Sequence, residues 1–242
     1  MLLTPETQQR IDQAIKAADL YMPNAATNAQ LQTHSLIELI APAAESKSTI
    51  MDEAAALDPD LSYVSGFTTR THEDRDVPGR YAYFTSEEEI NGLLDRIDQR
   101  SVAQYAGHPT TGKLYGSFPE DYHTDFALLD ALFNSVDDLD RLAFKSIFKV
   151  AVVSRGNEWE ERFVARYPES SNERMKRAHE AILCLEWIIA QDANKIIWLE
   201  NTAGHATKAA KQLIAMTKYG QPSESLRPLA EEMLEKAKKI AA

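Results

Sequence analysis

The chain has one cysteine, Cys184, and only 9 glycines among its 242 residues. A single cysteine allows no disulfide within the chain, so a reducing, cytoplasmic compartment is expected. Scarce glycine disfavours all-β and Rossmann-type folds, which are rich in tight turns. No apolar run reaches the roughly 18 residues of a membrane span. Because the first residues also lack the pattern of a signal peptide, no membrane partner is expected.

Motifs of common enzyme classes are missing as well. The sequence contains no GxSxG, CxxC or HExxH pattern and no Glu-x-x-His pair of a di-iron site. The segment 107–113, GHPTTGK, matches the skeleton of a phosphate loop, but Leu114 stands where Ser or Thr is required. No helix is predicted after it, and no apolar strand ending in Asp is evident. The segment is therefore not assigned to phosphate binding, and no cofactor is expected.

A metal site near residues 121–125 is one open alternative. Asp121, His123 and Asp125 alternate, so an extended segment would place all three on one face. Their side chains suit a divalent metal. A polar loop that ends with Asp125 as a helix cap explains the same pattern and is favoured. No metal ligand is assigned, and a metal-dependent enzyme stays the third hypothesis.

The net charge of −11 is unevenly distributed. Residues 1–140 hold 9 basic and 24 acidic side chains, a balance of −15, whereas residues 141–242 hold 17 and 13, a balance of +4. This polarity favours contacts between copies of the chain or with an anion. Two ordinary solvated surfaces would give the same counts.

One long helix over about 171–200 is the main prediction for the fold. Ser170 and Glu173 form a capping box at its start. Residues then recur at alternating steps of three and four, nearly all of them apolar, as in a buried helical seam. The seam consists of Met175, Ala178, Ile182, Leu185, Ile189, Asp192, Ile196 and Leu199. We therefore predict a mainly α fold, a helical bundle around this helix.

The remaining segments complete this prediction. Alternating residues predict a small two-stranded β excursion near 61–84, and glycines and prolines at 101–123 indicate a boundary. The predicted domains are an acidic N-terminal region, 1–123, with helices and a small hairpin, and a helical bundle domain, 124–242. Helices are predicted over about 4–22, 28–40, 45–57, 86–100, 125–134, 135–154, 157–167, 205–219 and from 225 onward; a strand over 150–153 is the alternative for one of them.

A second stripe on the long helix carries the leading hypothesis for function. Trp187 and Trp198 are eleven residues apart and would point the same way, with Gln191 and Asn194 between them. Burial between two layers of the same domain is the simpler interpretation. Exposed tryptophan is typical of interfaces, so these four residues form the predicted partner-binding surface. The leading hypothesis is a non-enzymatic helical interaction protein, a subunit of a larger or homomeric assembly.

The basic half supports a second hypothesis, a helical subunit of a nucleoprotein complex that contacts nucleic-acid phosphates. Interleaved glutamates weaken this interpretation, because they prevent a surface of one charge sign. The predicted contact residues are Arg155, Arg162, Arg166, Arg174, Arg177, Lys208 and Lys211.

Overall fold

The structure, a computed structural model, describes residues 3–73, 77–109, 111–168, 171–192 and 194–242. The helices are α1 (Pro5–Ala17), α2 (Ala25–Leu31), α3 (Lys47–Leu57), α4 (Glu87–Asp98), α5 (Val136–Leu139), α6 (Gly156–Arg166), α7 (Ser171–Ala190), α8 (Ala206–Lys218) and α9 (Arg227–Ala241). The strands are β1 (Ser35–Ile40), β2 (Leu61–Tyr63), β3 (Gly66–Thr68), β4 (Tyr81–Tyr83), β5 (Gln104–Gly107), β6 (Leu114–Ser117), β7 (Phe126–Asp130), β8 (Ser146–Val153) and β9 (Ile197–Glu200).

The chain divides into two compact units, each assembled from separate segments. Unit 1 comprises Met1–Leu36, Val64–Ala127 and Asn134–Ile147, and unit 2 comprises Ile37–Tyr63, Leu128–Phe133 and Phe148–Ala242. Each unit therefore draws residues from both sides of position 123. The domains 1–123 and 124–242 remain a prediction.

A five-stranded parallel sheet forms the centre of unit 2, in the order β2-β7-β1-β8-β9. The carboxyl ends of β1, β7 and β8 belong to this unit, as do all of β2 and β9. All six residues of β1 are buried, as expected for a strand covered on both faces. Helix α3 packs against α8, and α9 packs against α6 and α7.

Unit 1 contains a four-stranded sheet in the order β4-β3-β6-β5. β6 is antiparallel to both β3 and β5, whereas β3 and β4 run parallel. Helices α1 and α4 pack together beside this sheet, and their apolar faces share one core with Phe67 and Tyr105. In the described part of the chain, no helix has the length and apolar character needed to cross a membrane.

The predicted helical bundle is wrong, because the protein has a mixed α/β fold with two sheets. Three of the segments predicted as helices contain buried strands: 28–40 contains β1, 125–134 contains β7, and 135–154 contains β8. Short apolar runs buried on both faces show no alternation, so their pattern does not separate strand from helix. The β excursion near 61–84 holds three strands, and its two neighbours β3 and β4 are parallel, so they form no hairpin.

The long helix predicted over about 171–200 is also wrong in its last third. α7 ends at Ala190, and residues 197–200 form β9, which pairs with β8. The Asp192 carboxylate accepts the backbone N–H of Asn194 at 3.0 Å, a turn that competes with helix continuation. Ser170 of the predicted capping box lies outside the described residues.

Helices with strong end signals agree with their predictions. Thr4 caps α1 with Pro5 in its first turn, and Ser86 with Glu89 forms a complete capping box at α4. α3, α6, α8 and α9 also lie where helices were predicted.

Candidate functional site

The candidate site begins where β1 ends. After Ile40 the chain turns through the loop 41–46 into α3, whose first residues are Lys47, Ser48 and Thr49. β1 is the central strand of the sheet in unit 2. In open parallel sheets, ligands bind outside the carboxyl ends of the strands, so this strand–loop–helix segment is in the usual place for a ligand.

The loop backbone is strained at two positions. Ala44 has a φ of 66° and Ser46 a φ of 56°, both in the left-handed region that favours glycine. An L-residue with a side chain loses about 1–2 kcal/mol in this conformation. Such strain persists only where surrounding contacts hold it, and it clusters at ligand-binding sites.

Side chains from elsewhere in unit 2 hold the loop through its carbonyl groups. The carbonyl oxygens of three consecutive loop residues accept such bonds. Trp159 Nε1 donates to Ala43 O at 2.9 Å, Arg162 Nε to Ala44 O at 3.2 Å, and Asn201 Nδ2 to Glu45 O at 2.8 Å. These three bonds fix the orientation of successive peptide groups in the loop.

The amide groups of residues 43–48 make no hydrogen bond of ordinary geometry in the described part of the chain. Consecutive N–H groups around left-handed residues form an anion-binding concavity, and the positive end of a helix dipole adds to it. α3 begins at this point, and Ser48 and Thr49 add two exposed hydroxyl groups. The segment is therefore suited to bind a phosphate group.

Lys47 supplies a cation at the same place. Its Nζ lies 2.7 Å from Asp130 Oδ1 and donates to the carbonyl of Ala41 at 3.1 Å. Asp130 is the last residue of β7, an apolar strand whose three middle residues are buried. A cation and a carboxylate thus lie side by side at the carboxyl ends of two strands.

Glu45 places a buried carboxylate inside the loop. Its side chain is fully buried, and Oε2 accepts from Arg162 Nη2 at 2.8 Å and from Ser154 Oγ at 3.0 Å. Burial raises the pKa of Glu45 to about 7, although the Arg162 guanidinium opposes the rise. Glu158 lies 4.0 Å from Nη1 of the same Arg162 and shares its charge.

This raised pKa predicts how stability depends on pH. The folded chain holds the Glu45 proton more tightly than the unfolded chain, so this stabilisation is complete below about pH 4.5 and is lost as the pH rises through about 7. We expect Glu45→Gln to remove that dependence. Relative to the variant, the natural chain should lose on the order of 2–3 kcal/mol in unfolding free energy between pH 4.5 and pH 8. Urea unfolding across this range measures it, and parallel curves would contradict the assignment.

Comparisons with known proteins give little beyond the fold. No protein-family model and no curated protein sequence matches the chain. Among solved structures, a guanylate kinase from Anaplasma phagocytophilum is similar, with a TM-score of 0.49 and 12% identity over 84% of this chain and 95% of that one. A likeness this distant assigns no activity to this chain.

The hypothesis of a non-enzymatic helical subunit is wrong. The chain folds as a mixed α/β protein with two sheets, and not as the helical bundle that the hypothesis assumed. The predicted partner-binding face also requires one continuous helix. Trp187 and Gln191 lie on and just after α7, whereas Trp198 lies in β9 with 1% of its surface exposed. Asn194 is exposed in the connection between them, so the four share no helix face.

Three of the seven basic residues predicted for nucleic-acid contact are bound within the chain, and contact by the other four stays a prediction. Arg162 is bound to Glu45, Arg174 donates to the carbonyl of Tyr167, and Arg177 pairs with Glu180. The remaining four are exposed in unit 2, with Arg155 and Arg166 at the two ends of α6 and both Lys208 and Lys211 on α8.

The hypothesis of a metal-dependent enzyme near 121–125 loses its ligand set. The Asp121 carboxylate accepts the backbone N–H of Phe118 at 2.7 Å, and burial raises its pKa to about 6. His123 and Asp125 are exposed, and no three His, Cys, Asp or Glu side chains within the described ranges are grouped to hold a metal.

The GxxxxGK segment 107–113 is not a phosphate loop. It connects β5 to the antiparallel β6, and no helix follows it; Thr110 lies outside the described residues.

Sequence reasoning missed Lys47, Ser48 and Asp130. Glycine marks a phosphate loop, and here Ala41 and Ser46 stand at the positions of its two glycines. A usable signal was present, since the segment 36–40, apolar except for Glu38, ends before Pro42 and is followed by Lys-Ser-Thr at 47–49. Phe-Ala-Leu-Leu-Asp at 126–130 is the apolar strand ending in Asp, but it was predicted to be a helix.

Proposed function

We propose that unit 2 binds the phosphate groups of a nucleoside triphosphate on the loop 41–46 and the start of α3. One observation carries this proposal: six consecutive residues, 43–48, have backbone N–H groups that make no hydrogen bond of ordinary geometry within the described chain, and they lie beside the Lys47 ammonium. Backbone amides, a helix start and a lysine are the means by which phosphate loops bind phosphates.

Three side chains support phosphoryl transfer as the reaction. In P-loop enzymes a lysine contacts the β- and γ-phosphates, while a Ser or Thr after it and an Asp at a strand end hold Mg²⁺. Lys47, Ser48 and Asp130 occupy these positions. Their oxygen ligands suit Mg²⁺, which usually binds one or two protein groups together with substrate phosphates. When bound, Mg²⁺ would neutralise charge on the transferred phosphoryl group.

The protein's own groups have distinct tasks in this proposal. The amides of 43–48 bind and orient the phosphate oxygens, and Lys47 moves from Asp130 to the terminal phosphates. Asp130 is thereby released, and its carboxylate becomes available beside the Ser48 hydroxyl. The site thus exchanges an internal ion pair for contacts with the nucleotide.

Calorimetric titration with Mg·ATP tests the binding step, and release or transfer of the labelled γ-phosphate tests the reaction. We expect saturable binding at one site per chain and slow phosphate release that depends on Ser48. Binding without any phosphate release would retain the nucleotide-binding function and remove the phosphotransferase. Absence of binding at millimolar Mg·ATP would contradict the proposal as a whole.

Asp130→Asn separates the roles of the ion pair. Without magnesium, the variant should bind ATP about 3- to 10-fold more tightly, because Lys47 is freed and one repulsive charge is removed. Adding magnesium should raise the ATP affinity of the variant much less than it raises that of the natural chain, because the variant lacks one metal ligand. Titrations with and without EDTA measure both effects. Asp192→Asn, an exposed change in the same unit, is the control, and equal magnesium dependence in both variants would contradict the assignment.

A further inference from the structure

The loop that we assign to phosphate binding contains no glycine, although two of its residues have the backbone conformation that favours glycine. Ala44 and Ser46, which flank Glu45, both have positive φ angles. In a loop with glycine at such positions the shape has no steric cost. Some other feature of this chain must therefore hold the loop in place.

Glu45 is the residue best placed to do so. It lies between the two strained residues, and its carboxylate is inside the protein rather than facing a ligand. Both its side chain and its carbonyl are held: Oε2 by Arg162 and Ser154, and the carbonyl oxygen by Asn201. These partners come from α6, the end of β8 and the residue after β9, so three elements fix one loop residue.

Arg162 extends this hold to the neighbouring residue. The same guanidinium that binds the Glu45 carboxylate through Nη2 donates through Nε to the carbonyl of Ala44. Nη2 also donates to Ser154 Oγ at 2.7 Å, which closes a ring of bonds around the carboxylate. The orientation of the Arg162 side chain, and with it the Ala44 carbonyl, therefore depends on the carboxylate of Glu45.

We infer that Glu45 is a positioning residue that holds the phosphate loop in its binding conformation and so replaces the glycines that the loop lacks. The inference rests on the proposed phosphate binding by residues 43–48. Glu45 itself does not contact the nucleotide. If the hydrogen bonds of the Glu45 carboxylate are removed, Ala44 and Ser46 relax toward negative φ, and the amide groups of the loop no longer converge on one anion.

Rescue by glycine tests this role. The apparent affinity is proportional to the fraction of molecules whose loop has the binding conformation. We therefore expect Glu45→Ala to weaken Mg·ATP binding by about 10-fold or more. Adding Ala44→Gly and Ser46→Gly to that variant should restore affinity to within about 3-fold of the natural chain, because glycine adopts positive φ without strain. In the natural background the same two glycines should change affinity little, so the double-mutant cycle is non-additive.

Two further variants complete the experiment. Glu53 lies on α3, and its carboxylate accepts a hydrogen bond from Thr207 rather than from a loop residue. The variant Glu53→Gln should therefore bind Mg·ATP with the affinity of the natural chain. Should Glu45→Ala not fold, Glu45→Gln keeps the side-chain volume, and the same glycine rescue applies to it. If Glu45 contributed only to stability, its replacement would lower the unfolding temperature, and the glycine substitutions would restore no affinity.

The outcomes separate the two claims. Natural chain that binds Mg·ATP, with Glu45→Ala and Glu45→Gln binding equally well, overturns the positioning role and leaves the proposed function intact. The same holds if affinity is lost but the glycines restore none of it. A natural chain that fails to bind overturns the proposed function, and the inference with it.

Discussion

Replacing Lys47 with alanine should lower the affinity for Mg·ATP by on the order of 100-fold. The substitution removes the side-chain cation at the start of α3. It also leaves the Asp130 carboxylate, now 2.7 Å from Lys47 Nζ, unneutralised beside the incoming phosphates. Both effects act in the same direction. Titration calorimetry at constant ionic strength measures the change.

Lys211→Ala is the matched control for this experiment. Lys211 is exposed on α8 of the same unit, and no hydrogen bond or ion pair joins it to the loop 41–46 within the described residues. Its loss removes the same charge, so a general electrostatic effect would weaken binding equally in both variants. Equal affinities for the two variants would therefore contradict a specific role for Lys47. Lys47→Arg should be intermediate, because a guanidinium keeps the charge but not the geometry of the ammonium group.

Gly116→Ala should destabilise unit 1 by about 3 kcal/mol. Gly116 lies in β6 between β3 and β5, and a methyl group there would come within 3.0 Å of the Phe67 ring and the Gln104 carbonyl oxygen. Phe67 is fully buried, and Gln104 belongs to the neighbouring strand, so neither can move away without disturbing the sheet. For a chain of this size the loss corresponds to a fall of about 10 °C in unfolding temperature.

Gly92→Ala provides the opposite expectation in the same unit. Gly92 lies in α4, and a methyl group at this position would meet nothing within 4 Å. Alanine favours the helix by about 0.5–1 kcal/mol relative to glycine, so this variant should be slightly more stable. Thermal unfolding followed by circular dichroism compares the two. A Gly116→Ala variant as stable as Gly92→Ala would contradict the packing of β6.

Helices with marked ends could be predicted from the sequence, and the buried strands could not. The capping residues Ser86 and Glu89 act locally, so the start of α4 is encoded within a few residues. β1 and β7 owe their conformation to strands that are distant in sequence. Their apolar runs fit a buried helix or a buried strand equally well, and only pairing within the sheet decides.

The helix predicted over 171–200 shows how a pattern can extend past its element. The three- and four-residue spacing holds through Leu199, but Leu199 lies in the strand 197–200, which pairs with β8. Ile197 and Leu199 are two apart, so they lie on one face of the strand as well. Both periodicities are compatible with so short a segment.

The candidate site could not be recognised from the sequence, because its loop lacks glycine, the residue that marks phosphate loops. Glycine marks a phosphate loop since it allows positive φ, and here Ala44 and Ser46 adopt that conformation with help from Glu45, Trp159 and Arg162. Trp159 and Arg162 lie more than 100 positions away from the loop along the chain. No local pattern could indicate them, whereas the Lys-Ser-Thr start of α3 was visible.

Amide chemical shifts during a titration of the ¹⁵N-labelled chain with Mg·ATP test the central claim most directly. The account predicts that the largest shifts fall on the amides of residues 43–48 and saturate together at one nucleotide per chain. Shifts that leave these six amides unchanged, while nucleotide binds elsewhere or not at all, would contradict it.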